Sequence, residues 1–297
     1  MGAFTLSCES TVDMPFSYIK GRGIPVLFYS YVVDGVEHPD DMGRDPAAMS
    51  MFYRILEEKV PSTSQINTAT YVRFFEEQLR QGGDLLHIAL GSGMTTSVDN
   101  AMTAAELVRE RFPDRKVVVV DSTCSSSGYG MLVDYAADMR DAGRTMDEVA
   151  GWVEANKHDV HHQFYSTELR YYQRSGRMSG PAAAIATVLN ICPIMRLDDR
   201  GRIIAYEKVR GKKRALERTI EVVQEHIRDG VDYDGKCFVA HSNSPKQAEL
   251  AKKALEDRFP HLKGKVRIFE IGTIIASHCG PGTVAVFFLG DHRWPES

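Results

Sequence analysis

Four hydroxyl-rich segments carry the side chains best suited to chemistry: Glu9-Ser10-Thr11, Pro61-Ser62-Thr63-Ser64-Gln65, Gly91-Ser92-Gly93-Met94-Thr95-Thr96-Ser97 and Asp121-Ser122-Thr123-Cys124-Ser125-Ser126-Ser127. Gly91 and Gly93 allow backbone to approach a ligand. Ser92 and Thr95 add donors at the start of a helix, where exposed N–H groups and the helix dipole favour an anion. A carboxylate or a phosphate suits that place. The competing use of each hydroxyl is an ordinary helix N-cap, although capping alone does not explain why several such loops converge. None of the segments is a G-x-G-x-x-G or Walker loop, so no nucleotide cradle is expected.

His278, in Ser277-His278-Cys279-Gly280-Pro281-Gly282, is the leading histidine. It is expected on a short connection between two apolar strands, able to donate to an anion or move a proton, against the commoner use of a loop histidine as a solvated group. A Cys279/His278 dyad is disfavoured because adjacent side chains diverge and nothing holds a thiolate. His158, His161 and His162 have metal-like spacing only on a helix. Asp159 and Val160 instead suit a helix end running into a strand, which points His161 and His162 to opposite faces and leaves no metal site.

Two groups of cations remain. Arg174 and Arg177, in Gln173-Arg174-Ser175-Gly176-Arg177-Met178-Ser179-Gly180-Pro181, could clamp a carboxylate or phosphate, or serve only as helix C-terminal charges. The run Lys208-Val209-Arg210-Gly211-Lys212-Lys213-Arg214 has five basic residues in seven and reads as a docking patch or as a solvated helix start. Cations at a helix N-terminus oppose the dipole and do not help local folding. Nucleic-acid binding through Lys212 and Lys213 is a third reading, weakened by the lack of interleaved aromatics.

The elements that must position these groups alternate between strand and helix patterns. Strands are expected over residues 4–8, 24–33, 84–89 and 116–120, with helices after Pro46, Thr68, Thr95 and Gly128. The strand–helix–strand unit over residues 84–120 argues for parallel pairing in a doubly wound, Rossmann-like sheet, with ligands beyond the carboxyl ends of its strands. After Gly143 the pattern changes. Thr145 and Glu148 have capping-box spacing, and residues 193–197 and 203–209 form a hairpin around Asp198-Asp199-Arg200-Gly201. A strand over residues 236–241, a helix over 245–259 and strands over 265–271 and 283–289 follow. The expected fold is α/β: a Rossmann-like domain over residues 1–159 and a second α/β domain with a mixed or antiparallel sheet over residues 160–297, the final strand being free to return to the first sheet. The apolar residues 182–189 suit core or the wall of an acyl cavity.

Two domains also agree with 297 residues and 43% hydrophobic content. A net charge of −4 excludes a global electrostatic pull on nucleic acid, so any basic contact must be local. Five scattered cysteines form neither a disulfide framework nor a zinc pattern. With no leader-like or membrane-spanning run, the expectation is a cytoplasmic protein.

Taken in order, these segments resemble the DegV family of bacterial fatty-acid-binding proteins over residues 5–290. The likeness rests on Glu9-Ser10-Thr11-Val12-Asp13-Met14-Pro15, Ser62-Thr63-Ser64-Gln65, the loop from Leu90 to Ser97, and Asp121-Ser122. Further on it rests on Ser175-Gly176-Arg177-Met178-Ser179, Leu189-Asn190-Ile191-Cys192-Pro193-Ile194, Lys208-Val209-Arg210-Gly211-Lys212-Lys213, and the stretch from Ile271-Gly272 through His278 and Gly280-Pro281-Gly282 to Gly290. The resemblance implies a long-chain fatty acid in a tunnel between the domains. It implies a carboxylate held by Thr63, Ser92 and His278, with Arg177, Ser64 and Thr95 near the head group. It implies a separate ATP-dependent fatty acid kinase, docked at Arg210, Lys212 and Lys213, that phosphorylates the bound carboxylate in phospholipid metabolism. No turnover by this chain alone, no metal and no cofactor other than the bound acid are expected. The alternative is an acyl hydrolase or transferase using Ser92 and His278, for which the G-x-S-x-G elbow is missing. The chain departs from the family pattern at Cys8-Glu9, Gly91 and Thr96-Ser97. Glu9 is expected to repel the ligand anion if it points inward, or to pair with Arg177 or another cation if it does not.

Overall fold

The computed structural model describes residues 4–179 and 190–294, so the apolar segment 182–189 lies outside the described residues. Phe4–Glu9, Val26–Leu27, Asp84–Ala89 and Val117–Asp121 form a parallel sheet in the order Val26–Leu27, Phe4–Glu9, Asp84–Ala89, Val117–Asp121. The apolar runs of this sheet are covered by helices Thr68–Arg80, Ser97–Arg111 and Ser126–Asp141, as a sheet buried on both faces requires. The continuous strand expected over residues 24–33 is broken. Tyr29 donates its N–H to Ser10 Oγ at 3.2 Å instead of to the ladder. Ser30–Val33 then leaves to pair antiparallel with Val36–Pro39 and Ser62–Thr63 in a small separate sheet.

The second sheet has seven strands among the described residues, ordered Arg267–Glu270, Cys237–His241, Thr283–Leu289, Val160–Ser166, Ile191–Leu197, Ile203–Arg210, Met178–Ser179. The final strand Thr283–Leu289 does not return to the first sheet. It runs antiparallel between Cys237–His241 and Val160–Ser166, where all seven of its residues are buried. The hairpin turn closes through the Gly201 N–H to Asp198 O at 3.0 Å, with Gly201 at φ 74°, the left-handed region open to glycine.

Helix Ser126–Asp141 packs against strands of both sheets and has eleven buried residues. Gly128 and Gly130 make that approach possible, since a side chain at Gly130 would meet Val12 O at 2.6 Å and one at Gly128 would overlap the His162 ring. The Thr145 capping box forms as the spacing predicts: Glu148 N–H donates to Thr145 Oγ1 at 3.3 Å and Thr145 N–H to Glu148 Oε2 at 2.8 Å. No helix among the described residues is long and apolar enough to cross a membrane.

The connection expected around His278 is instead a helix, Thr273–Cys279. Its short apolar run imitates a strand, but its N-terminus is held by two buried carboxylates. Asp13 accepts from Gly272 N–H at 2.9 Å and Asp40 from Thr273 Oγ1 at 2.8 Å, and these two buried contacts fix where the helix begins.

Candidate functional site

The hydroxyl-rich loops and the second sheet enclose a cavity of about 530 Å³, within the usual range for a small-molecule site. Thr63, Ser64, Ser92, Thr95, Arg177 and His278 all line it. Its body is bounded by apolar side chains, among them Phe164, Ile274, Ala285 and Phe287. The cavity is thus polar on one part of its wall and oily on another.

His278 Nε2 lies 2.9 Å from Thr63 Oγ1. Burial, followed by the charges of Arg177 and Arg174, pushes the His278 imidazole down to about 4, so it is neutral near pH 7 and can donate from one ring nitrogen. Ser92 is exposed. Its N–H donates to Asp121 Oδ1 at 3.0 Å, which fixes the loop and leaves the side chain at the cavity wall. Thr95 has a structural use as well: its Oγ1 accepts from Ser97 N–H at 3.2 Å and pairs with Ser97 Oγ at 3.0 Å at the start of helix Ser97–Arg111. Ser64 is exposed, with its N–H on Ser30 O at 3.3 Å. Arg177 follows the left-handed Gly176 that ends helix Leu169–Ser175, and its guanidinium donates to Ser175 O.

Glu9 does not line the cavity, and the basic group beside it is His87, not Arg177. It is fully buried beneath the first sheet's carboxyl ends, where Tyr71 OH donates to Oε1, Leu90 N–H donates to Oε2 at 2.8 Å and His87 Nε2 stands 3.5 Å away. A buried carboxylate with this many donors is retained inside the fold.

Arg210, Lys212 and Lys213 do not line the cavity. Arg210 ends strand Ile203–Arg210, Lys212 and Lys213 open helix Lys212–His226, and all three are exposed. Within the run, Arg214 is tied to Glu221 at 2.7 Å and Lys213 stands 3.9 Å from Glu217.

His161 and His162 do face opposite ways on strand Val160–Ser166. His161 stacks on Phe288, with centroids 4.9 Å apart, and its Nε2 meets Asp291 O at 2.8 Å. His162 is held on Ser125 N and O, each at 3.1 Å, and forms part of the cavity wall. Burial pushes His161 down to about 4 and His162 well below the usual imidazole value. No group of three metal-ligating side chains occurs among the described residues. The Cys279 thiol is buried and pushed up to about 12, so it is protonated and no nucleophile.

Sequence reasoning missed several wall residues. His162, weighed above only against a metal site, and the Tyr172 OH···Thr283 Oγ1 pair at 3.0 Å are brought to the cavity by strand pairing, for which local sequence carries no signal, while Ser126 of the fourth hydroxyl segment arrives with helix Ser126–Asp141. Ser126 Oγ donates to Asp13. Burial raises Asp13 to about 8, against the lowering effect of the Ser126 bond; nearby Asp40 raises it further and Gly272 lowers it.

The family model described as uncharacterised protein, DegV family, matches residues 4–291. A DegV domain-containing protein of Clostridium perfringens is 32% identical over 295 residues, covering 99% of this chain and 100% of that protein. A DegV lipid-binding protein of Thermotoga maritima superposes with a TM-score of 0.83 at 25% identity, over 98% of this chain and 99% of that one. A DegV-family protein of Thermus thermophilus, described by its fatty acid binding, gives a TM-score of 0.83 at 25% identity over 98% of this chain and 100% of that one. The ordered motifs, the two-sheet architecture and these matches together make the chain a member of the DegV family.

Proposed function

We propose that this protein binds a long-chain fatty acid, with the tail in the cavity and the carboxylate at Thr63, Ser92 and His278, and presents that carboxylate to a separate ATP-dependent kinase. The observation that carries the reading is a single cavity wall combining the Thr63–His278 pair and the Ser92 loop with an apolar body. The lipid and fatty acid binding described for the Thermotoga and Thermus proteins support it.

The division of labour is physical. At roughly 0.8 kcal/mol per buried CH₂, about fourteen methylenes supply on the order of 11 kcal/mol before association costs. The tail therefore supplies affinity, and the polar groups need only orient the carboxylate and offset its desolvation. Neutral His278 and the Thr63 and Ser92 hydroxyls act as donors, and an exposed Ser92 leaves one carboxylate oxygen within reach of a partner. In the kinase reaction that oxygen attacks the γ-phosphorus of ATP, the bond to the bridging oxygen breaks, ADP leaves and an acyl phosphate remains. Arg210, Lys212 and Lys213 are the docking surface in this reading, and an ATP-dependent partner goes with a cytoplasmic setting.

A hydrolase built on Ser92 and His278 is less well supported, because among the described residues no hydrogen bond joins Ser92 to His278. Native mass spectrometry of the purified protein tests the main reading. A retained fatty acid, or uptake of added oleate, is the expected result; a ligand-free protein that takes up no oleate would overturn it.

A further inference from the structure

Among the described residues Arg293 is the largest fully buried side chain, and no ion pair with them holds it. It lies just beyond the span matched by the family model, which ends at residue 291. Its acceptors among the described residues are all uncharged: Thr123 O at 3.0 Å, Thr123 Oγ1 at 2.8 Å, Lys157 O at 3.1 Å and His158 O at 3.3 Å. Taking a guanidinium out of water is costly, and a fork with two bonds to one residue restricts that residue in both position and direction.

Thr123 is the residue so restricted, and it is strained. Its φ is 48°, the left-handed region that a β-branched side chain rarely occupies. Its N–H donates at 2.9 Å to Asp121 Oδ1, the same oxygen that accepts the Ser92 N–H at 3.0 Å. On its other side, a side chain at Gly201 would meet Thr123 O at 2.6 Å, so the hairpin turn of the second sheet is seated directly on Thr123. Gly93 in turn abuts Gly201 and Arg200 so closely that a Cβ there would overlap their backbone. The same C-terminal segment ties down that turn from outside, since Asp199 N–H donates to Trp294 O at 3.1 Å.

We propose that Arg293 is a positioning residue for carboxylate binding: through Thr123 and Asp121 it holds the Ser92 loop, and through the Thr123–Gly201–Gly93 contact it fixes that loop against the second sheet. The guanidinium does not touch the ligand. It holds a strained peptide whose relaxation would move the Ser92 loop away from the Thr63–His278 pair. The inference rests on the carboxylate site proposed above.

The test compares oleate with oleyl alcohol, which share a tail but not a carboxylate, by titration calorimetry on the full chain. Arg293→Gln and Asp121→Ala are each expected to lower the acid-over-alcohol preference about tenfold while leaving oleyl alcohol affinity within about twofold of wild type. Arg293→Lys, which keeps the charge and loses the fork, is expected to fall between. Asp121→Ala cuts the link without emptying the buried Arg293 site, so it decides the matter if Arg293→Gln does not fold. Ser92→Ala in the same assay separates the two readings. If the wild type shows no preference for the acid, or Ser92→Ala keeps that preference, the carboxylate site is wrong and the positioning claim falls with it. If Ser92→Ala loses the preference while Asp121→Ala and any folded Arg293→Gln keep it, the positioning claim alone is overturned, even where their melting temperatures fall.

Discussion

His278 Nε2 and Thr63 Oγ1 stand 2.9 Å apart although 215 positions separate them in the chain. Thr63 reaches this point on the edge of the small three-stranded sheet, and His278 on a helix whose first residues bond to Asp13 and Asp40. The pair therefore joins two separately formed pieces of structure, and a carboxylate placed beside it would meet polar groups from each side.

Removing either hydroxyl should weaken fixation of the acid without emptying the cavity. Thr63→Ala and Ser92→Ala are each expected to lower oleate affinity about tenfold, as for a hydrogen bond to a charged group, with little effect on oleyl alcohol. Titration calorimetry with both ligands checks this.

Docking should separate from binding. Arg210 is exposed and away from the cavity wall, so Arg210→Ala is expected to keep wild-type oleate affinity while lowering kinase-dependent acyl phosphate formation. Equal loss of oleate binding in Arg210→Ala, Thr63→Ala and Ser92→Ala would refute the separation.

Stability should decline from pH 6.5 toward 8. Asp13, raised to about 8 in the fold from an ordinary carboxylate value, holds a proton there that the unfolded chain has already released. The folded state then binds more protons, so stability falls as pH rises through that window. Urea midpoints across the range should show the slope, and Asp13→Asn should flatten it while retaining the Gly272 bond.

Below pH 6.5 a second effect runs the other way. His161 and His278, both pushed down to about 4, stay neutral in the fold while the unfolded chain takes up protons. Their contribution is lost as pH falls from 6.5 toward 4. His161→Gln should reduce that loss, measured as the change in melting temperature between pH 6.5 and 5.

Gly93→Ala should loosen the contact between the Ser92 loop and the hairpin turn, because the obstacle is backbone of Gly201 and Arg200 and not a movable side chain. Overpacking of this kind costs about 1–3 kcal/mol. Urea denaturation should show a lowered midpoint, and oleate affinity should fall with it.

Much of this was legible beforehand because it is written in local patterns. Alternating and continuous apolar runs marked the parallel strands Asp84–Ala89 and Val117–Asp121, and Thr145 with Glu148 marked a helix start, since periodicity and capping depend on residues close in sequence. The break at Tyr29 was not legible, because the N–H that leaves the ladder goes to Ser10, far away in the chain. The same holds for helix Thr273–Cys279, whose seven residues are too few to show a helical period and whose start is held by the distant Asp13 and Asp40. Glu9 illustrates the limit most plainly. Its charge was readable, but its direction depended on Tyr71 and Leu90 being there to receive it.

The amino-acid sequence by itself determined the α/β class, the hydroxyl loops at the ends of the first strands and the family to which the chain belongs, since ordered local motifs specify all three. Only the tertiary structure decided which of those hydroxyls face one cavity, that the last strand stays in the second sheet and that the buried Arg293 bonds Thr123. The reason is that each of these depends on contacts between segments distant in the chain, whose geometry exists only once both sheets have packed around helix Ser126–Asp141.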